Sequence, residues 1–240
     1  MSRYAFLITS AVNTKFGVYS NEERLGQTLA TISGVRKNVP DAKIIVLEMG
    51  AIPLTAEQSM AITGLADNLI TFSDDPAVTG LYHSTDNWDV VKNVTEVMCF
   101  QNALKKLYVE TTVLHDVQRI FKLSGRYLLN DNFDIGFYDA YANENMIVVG
   151  KSRSSQFPFA ATGVERQYMS RLWSWPSKLT PEVITGYNQG LEYMYQRLAA
   201  GGYVDIEHVL YKFLDPAKVL EKDVLGLHGN IGPNGAAVAD

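Results

Sequence analysis

Short apolar runs alternate with segments of helical periodicity along most of this chain. Residues 4–9, Tyr-Ala-Phe-Leu-Ile-Thr, form a compact apolar run that predicts a buried first strand. Ser20 and Glu23 stand in the Ser-x-x-Glu relation of a capping box. Leu25, Leu29, Ile32 and Val35 then recur at helical spacing to about Lys37. Pro40-Asp41 marks a turn, and residues 43–48 are nearly all apolar, as in a strand covered on both faces. A short helix is expected over 56–65 and a third strand over 68–72. Residues 73–87 are polar and long for a connection in a compact domain; such loops are functional or disordered. A stripe of Val90, Val91, Val94, Val97, Met98, Leu104 and Leu107 predicts a long helix over 88–108. Strands are expected at 119–123 and 145–149.

Strand and helix in strict alternation predict an α/β fold: a mainly parallel, Rossmann-like sheet with helices on both faces. Right-handed crossovers place the loops after the strands along one edge, where ligands of such sheets bind. The segments to inspect are therefore 10–19, 48–51, 73–87 and 124–134. The last third has a different character. A loop at 151–163 precedes helices expected at 164–173, 181–199 and 205–213, so the C-terminal third reads as helical. Residues 225–235 are too glycine-rich for a helix and read as a strand and loop returning to the site edge, or as a frayed tail; the last four residues should be the least ordered.

Composition narrows the class. Of 240 residues, 47% are hydrophobic and 20% charged, too apolar for disorder. No linker-like segment divides the chain, which reads as one domain over 1–240. The net charge of −5 argues against a general nucleic-acid binder yet leaves room for a local anion site. A single cysteine, Cys99, lies among helical core positions and excludes an internal disulfide and a multi-cysteine zinc site. Charges interrupt every apolar run well before the roughly 18 residues a spanning helix needs, and 4–9 is too short for a secretory signal, so the default expectation is a cytoplasmic protein. The sequon Asn93-Val94-Thr95 falls inside a predicted helix and is discounted.

Several phosphate-binding and hydrolytic signatures are missing. The turn after the first strand lacks Gly-x-Gly-x-x-Gly, which counts against a dinucleotide site and a methyltransferase. No P-loop, Gly-x-Ser-x-Gly elbow or His-Glu-x-x-His occurs. What the chain does carry is a set of cations from separate segments. Lys92 opens the long helix, Lys122 and Arg126 flank the end of the fourth strand, and Lys151 and Arg153 follow the fifth. Singly, each reads more readily as solvated surface than as part of a site. Together, Lys122 and Arg126 favour function, because a lysine within a core-strand pattern is hard to bury unpaired. Glu207 opens a late apolar helix, where the helix dipole favours an ionised carboxylate; it is a candidate base with Asp205, or a capping or ion-pairing residue. Phe157, Phe159, Tyr168, Trp173 and Trp175 are either core or the lining of a ligand groove.

The run from Lys122 to Tyr127, Lys-x-x-Gly-Arg-Tyr after an apolar strand, resembles a pattern in viral and bacterial nucleotide-diphospho-sugar transferases of the GT-A fold type. Residues 6–10, the helix to Lys37 and the strand 44–48 are similar to their nucleotide-binding half. Lys92-Asn93-Val94-Thr95-Glu96 is similar to the start of the helix before their site strand. Residues 205–210 and 229–235 are similar to their C-terminal elements. The resemblance implies a nucleotide-binding half over 1–123, an acceptor-side half over 124–240, and transfer of a sugar from a nucleotide-diphosphate donor to a glycan or other hydroxyl acceptor. Thr9, Ser10 and Glu48 would then cradle the nucleoside; Lys92, Lys122 and Arg126 would face the diphosphate, with Arg126 and Glu207 catalytic. A loop over 157–163 would help to close the site.

One departure bears on cofactors. Such enzymes carry an Asp-x-Asp metal motif at the end of the site strand, where this chain has Ser124-Gly125-Arg126. Manganese or magnesium would have to find Asp131, Asp134 and His228 instead, and the first two serve equally well as helix caps. Lys and Arg alone are the other way to neutralise a leaving diphosphate. Two rival readings remain: a protein of this fold that binds a nucleotide sugar without turnover, and an interaction protein that uses its aromatic C-terminal third.

Overall fold

The computed structural model describes residues 3–111, 113–141, 144–232 and 234–239. The chain opens with β1 (Tyr4–Ser10), α1 (Asn21–Asn38), β2 (Lys43–Glu48), α2 (Ala56–Thr63), β3 (Asn68–Thr71) and α3 (Pro76–Ser84). Next comes α4 (Trp88–Leu104), prolonged by a π-helical turn, and then β4 (Arg119–Ser124). A region of short elements follows: β5 (Tyr127–Leu129), α5 (Ile135–Ala140), β6 (Ile147–Gly150), β7 (Arg153–Ser154), α6 (Phe159–Thr162), β8 (Arg166–Gln167) and β9 (Leu172–Pro176). The chain ends with α7 (Thr180–Ala199), α8 (Ile206–Phe213), β10 (Val219–Lys222), β11 (Leu227–Asn230) and β12 (Ala237–Ala239).

A seven-stranded sheet in the order β10-β6-β9-β4-β1-β2-β3 forms the centre. All its pairings are parallel except those of β9, which runs antiparallel to both neighbours. Strand alternation splits the core between the two faces. Ala5, Leu7 and Ile120 pack with α4, α7 and α8, whereas Phe6, Ile8, Phe121 and Leu123 pack under α1 and α5. A smaller antiparallel sheet, β12-β11-β5, begins two residues after β4 and brings the C-terminal segment to the carboxyl edge of the main sheet.

The local signals explain the first half. The Ser20–Glu23 capping box is present in both directions, and α1 starts directly after it. Thr55 and Gln58 form a second box before α2. Two expectations need correction. The polar stretch 73–87 contains α3: Asp75 caps it, Pro76 opens it, and Val78 and Tyr82, one turn apart, bury its inner face. No helix forms over 164–173. Val164, Tyr168 and Leu172 do recur at a helical interval and are all buried, but they belong to an extended path through β8 and β9, where Trp173 and Trp175 reach one side of the sheet. Of the two readings of the C-terminal glycine-rich segment, the strand and loop holds: β11 forms there, and Ala237–Ala239 pairs with it. Pro233 and Asp240 lie outside the described residues.

Candidate functional site

A cleft enclosing about 890 Å³, its mouth included, opens at the carboxyl ends of β1 and β4. Thr9 and Ser10 end β1, Met49–Ala51 follow β2, and Ser124 and Arg126 follow β4. Val78 and Tyr82 of α3, with Trp88, Lys92 and Glu96 on the first turns of α4, form the opposite wall. Phe16, Gly17, Arg24 and Gly232 complete the lining.

Close backbone approach brings the strand ends together. Gly125 N donates to Thr9 O at 2.8 Å, and a Cβ at Gly125 would lie 3.0 Å from that oxygen, so a side chain there would force β1 and β4 apart. Glu48 organises the adjoining turn. Its Oε1 accepts from Val12 N at 2.9 Å, while Met49 N donates to Ser10 O at 2.8 Å. Burial pushes the Glu48 carboxyl up, against the lowering effect of its bonds to Ser10, Val12 and Gly50. This carboxylate is a brace behind the cleft and not part of its lining, in contrast to the expected nucleoside contact.

Three cations line the cleft: Arg24, Lys92 and Arg126. Sequence reasoning missed Arg24. Its signal was available, because it lies one turn before Thr28 on the face that α1 buries. Only 8% exposed, it donates to Phe16 O at 2.7 Å, Tyr19 O at 3.2 Å and Ala11 O at 3.5 Å. Burial lowers its pKa, and the neighbouring Arg126 lowers it further. Among the described residues none of the three cations forms an ion pair. The Arg126 Nε is buried without a hydrogen-bond partner among those residues.

Lys122 departs from its expected role. Its side chain is fully buried; its Nζ lies 2.7 Å from Glu96 Oε1 and donates to Ser124 Oγ and to Ser170 O, both at 2.8 Å. The alternation that turns Phe121 and Leu123 to one face turns Lys122 to the other, under α4. It therefore holds Glu96 from below and does not line the cleft. Burial raises the Glu96 carboxyl, but Lys122 and Lys92 more than offset it, leaving a net lowering.

Glu207 also lies outside the lining. It accepts from Ser170 Oγ at 2.6 Å and stands within electrostatic reach of Lys92 and Glu96. Burial, then Asp205, pushes its carboxyl up, overriding the helix dipole that was expected to keep it ionised. Asp205 caps α8 and is held by His208 Nδ1 at 2.5 Å. The proposed metal ligands do not gather. Asp134 caps α5, Asp131 sits in the preceding turn, and His228 pairs across to Leu128 in the small sheet. Among the described residues no three His, Cys, Asp or Glu side chains converge on a metal position. Lys151 forms an exposed ion pair with Asp223 at 3.1 Å, away from the cleft. Tyr168, Trp173 and Trp175 are core, and Phe157 packs on Tyr203 and His208; the cleft's aromatic wall is instead Phe16, Tyr82 and Trp88. Burial pushes the Cys99 thiol up, as suits an inert core cysteine.

The topology, with its one antiparallel strand and a carboxyl-edge cleft, has counterparts among solved structures. The galactosyltransferase LgtC, in complex with donor and acceptor sugar analogues, aligns at a TM-score of 0.55 and 12% identity over 90% of this chain and 72% of that one. The mannosyltransferase Ktr4p from S. cerevisiae aligns at 0.57 and 10% identity, over 98% and 73%. Core-mannan synthase A from Aspergillus fumigatus, in its Mn/GDP form, aligns at 0.52 and 10% identity, over 96% and 75%. This chain has the GT-A fold. At such identities the likeness concerns architecture. No protein-family model matches the sequence, and neither does any curated protein. Within this GT-A chain, no helix among the described residues is long and apolar enough to cross a membrane.

Proposed function

We propose that this protein is a glycosyltransferase that moves a sugar from a nucleotide-diphosphate donor to a hydroxyl acceptor. The observation that carries the reading is the convergence of Arg24, Lys92 and Arg126, from three separate elements, on one cleft at the carboxyl edge of a GT-A sheet. The apolar wall of Phe16, Val78, Tyr82 and Trp88 offers a surface for a nucleobase, and Thr9 and Ser10, at the end of β1, line the space in which the ribose would lie.

In the reaction the bond between the anomeric carbon and the diphosphate oxygen breaks, and the acceptor oxygen bonds to that carbon. The electron pair of the broken bond leaves with the diphosphate, where Arg126 and Lys92 meet the growing charge. Fixed donors aimed at developing charge lower such a barrier most effectively. The acceptor's proton leaves through a water to Glu207, which stands outside the lining but within electrostatic reach of Lys92 on the cleft wall; its raised pKa makes it a better base than an exposed carboxylate.

One observation favours binding without turnover. The single carboxylate lining the cleft, Glu96, is paired with Lys122. Both readings require donor binding, so the test separates binding from transfer. Calorimetry with UDP- and GDP-sugars should detect a donor, and Arg126→Ala should weaken it roughly ten- to hundredfold, as expected for loss of a charge-assisted bond. Glu207→Gln should leave donor affinity unchanged and cut the rate of transfer to a sugar or small-alcohol acceptor. If no donor binds, or if Arg126→Ala binds as tightly as wild type, this site is not a donor site.

A further inference from the structure

We infer that this chain holds its diphosphate with Arg24, Arg126 and Lys92 alone, in place of a divalent cation. The inference rests on the donor-site reading above and concerns how that site neutralises charge. Its first support is chemical sign. Where the resembling transferases carry carboxylates at the end of the site strand, this chain carries Ser124, Gly125 and Arg126. A position that would offer negative charge to a metal offers positive charge instead. The one carboxylate in the lining is already engaged by Lys122 at 2.7 Å. A divalent cation entering here would meet three like charges and no unengaged carboxylate.

The second support is the state of the cations themselves. Burying a charge without a counter-ion is costly. Arg24 is nine-tenths buried and donates only to main-chain oxygens, and Arg126 keeps a buried, unpartnered Nε. Space has been left around both guanidinium groups by glycines. A Cβ at Gly232 would lie 3.0 Å from the Arg126 Cζ, and one at Gly17 would collide with the Arg24 guanidinium. Gly17 holds φ at +87°, and Val18 N reaches Gly232 O at 3.4 Å, so the two glycine-bearing loops meet over the arginines. Glu48 and Glu96 act on Arg24 and Arg126 only through space, without an ion pair, and a diphosphate lying between the two guanidinium groups would supply a direct counter-charge. The geometry thus assigns Arg24 as a diphosphate-binding residue beside Arg126.

Titration of the full chain with UDP, GDP and inorganic pyrophosphate, in EDTA and then in manganese, tests this. The expected result is nucleoside-diphosphate binding in EDTA with an affinity that manganese leaves within about threefold, well under one decade of Kd. Affinity should also fall with added salt, because the contacts are charge–charge. Arg126→Ala and Arg24→Lys, each checked for native circular dichroism, should each weaken binding in EDTA; the conservative Arg24→Lys guards against loss of the buried scaffold. Binding that appears only with manganese overturns the metal-free assignment and leaves the donor-site reading intact. Full affinity in EDTA for both variants also overturns it. Absence of binding under every condition overturns both.

Discussion

Lys122 illustrates how one residue can be necessary to a site without facing it. Its ammonium is buried and is held by Glu96, Ser124 and Ser170. Removing one partner of a buried pair strands the other, at a cost of roughly 3 kcal/mol or more. Lys122→Met should therefore lower stability by about that amount in urea unfolding. Adding Glu96→Gln should recover part of the loss, since the stranded charge is then gone; a double variant no better than the single one would refute the coupling. Glu207 makes a pH prediction. Its folded pKa is raised above its ordinary value of 4.5, so its ionised form is favoured by unfolding. Below that ordinary value both states hold the proton and the group contributes nothing. As the pH rises through the folded value, the penalty develops in full. Glu207→Gln should thus be more stable than wild type at neutral pH and indistinguishable from it at acid pH. A stability difference that does not change with pH would contradict the assigned shift.

Among the elements, α4 joins scaffold to chemistry. It presents Lys92 and Glu96 one turn apart, so a single helix face supplies a cation to the cleft and an anion to the core lysine. Its other residues pack against the sheet, and Asn93 Nδ2 donates to Tyr203 OH at 2.7 Å, tying it to the segment before α8. The C-terminal helices are fitted by small residues. A Cβ at Gly190 of α7 would collide with Val209 of α8, and one at Gly186 would lie 3.2 Å from Phe213 O. Alanine is the better helix former by about 1 kcal/mol, yet overpacking costs about 1–3 kcal/mol, so Gly190→Ala should destabilise. Denaturant unfolding of that variant, with a midpoint at or above wild type, would show that the α7–α8 spacing is slack.

At the scale of the whole molecule, ligand binding and stability are linked. A ligand at 100 times its Kd stabilises the folded state by about 2.7 kcal/mol, which for a chain of this size is a Tm rise of about 5–10 °C. Nucleoside diphosphates and their sugars should produce such a rise, and the nucleosides alone a smaller one, because they lack the anionic part that Arg24, Lys92 and Arg126 would hold. Equal shifts for nucleoside and nucleoside diphosphate, read by differential scanning fluorimetry, would separate the cations from the binding event.

The early half of the fold was legible because its signals are local. The Ser20–Glu23 box, the apolar strand at 43–48 and the stripe of α4 each state their element within a few residues. The site was legible in part for the same reason: strand ends must meet at one edge, so Thr9, Ser10, Lys92 and Arg126 could be grouped from their order along the chain. Contacts between distant segments lay beyond that reach. The side of β4 that Lys122 takes, and the carboxylate that awaits it, depend on where α4 crosses the sheet. The antiparallel insertion of β9 turned an apparent helical pattern into a strand. Arg24 lies on the face that α1 buries, but that this face meets the cleft depends on the fold-back of the loop whose Phe16 O it holds. Periodicity and capping are written in neighbouring residues. Burial, pairing and the sign of a pocket's charge arise from segments a hundred residues apart, and only packing brings those together.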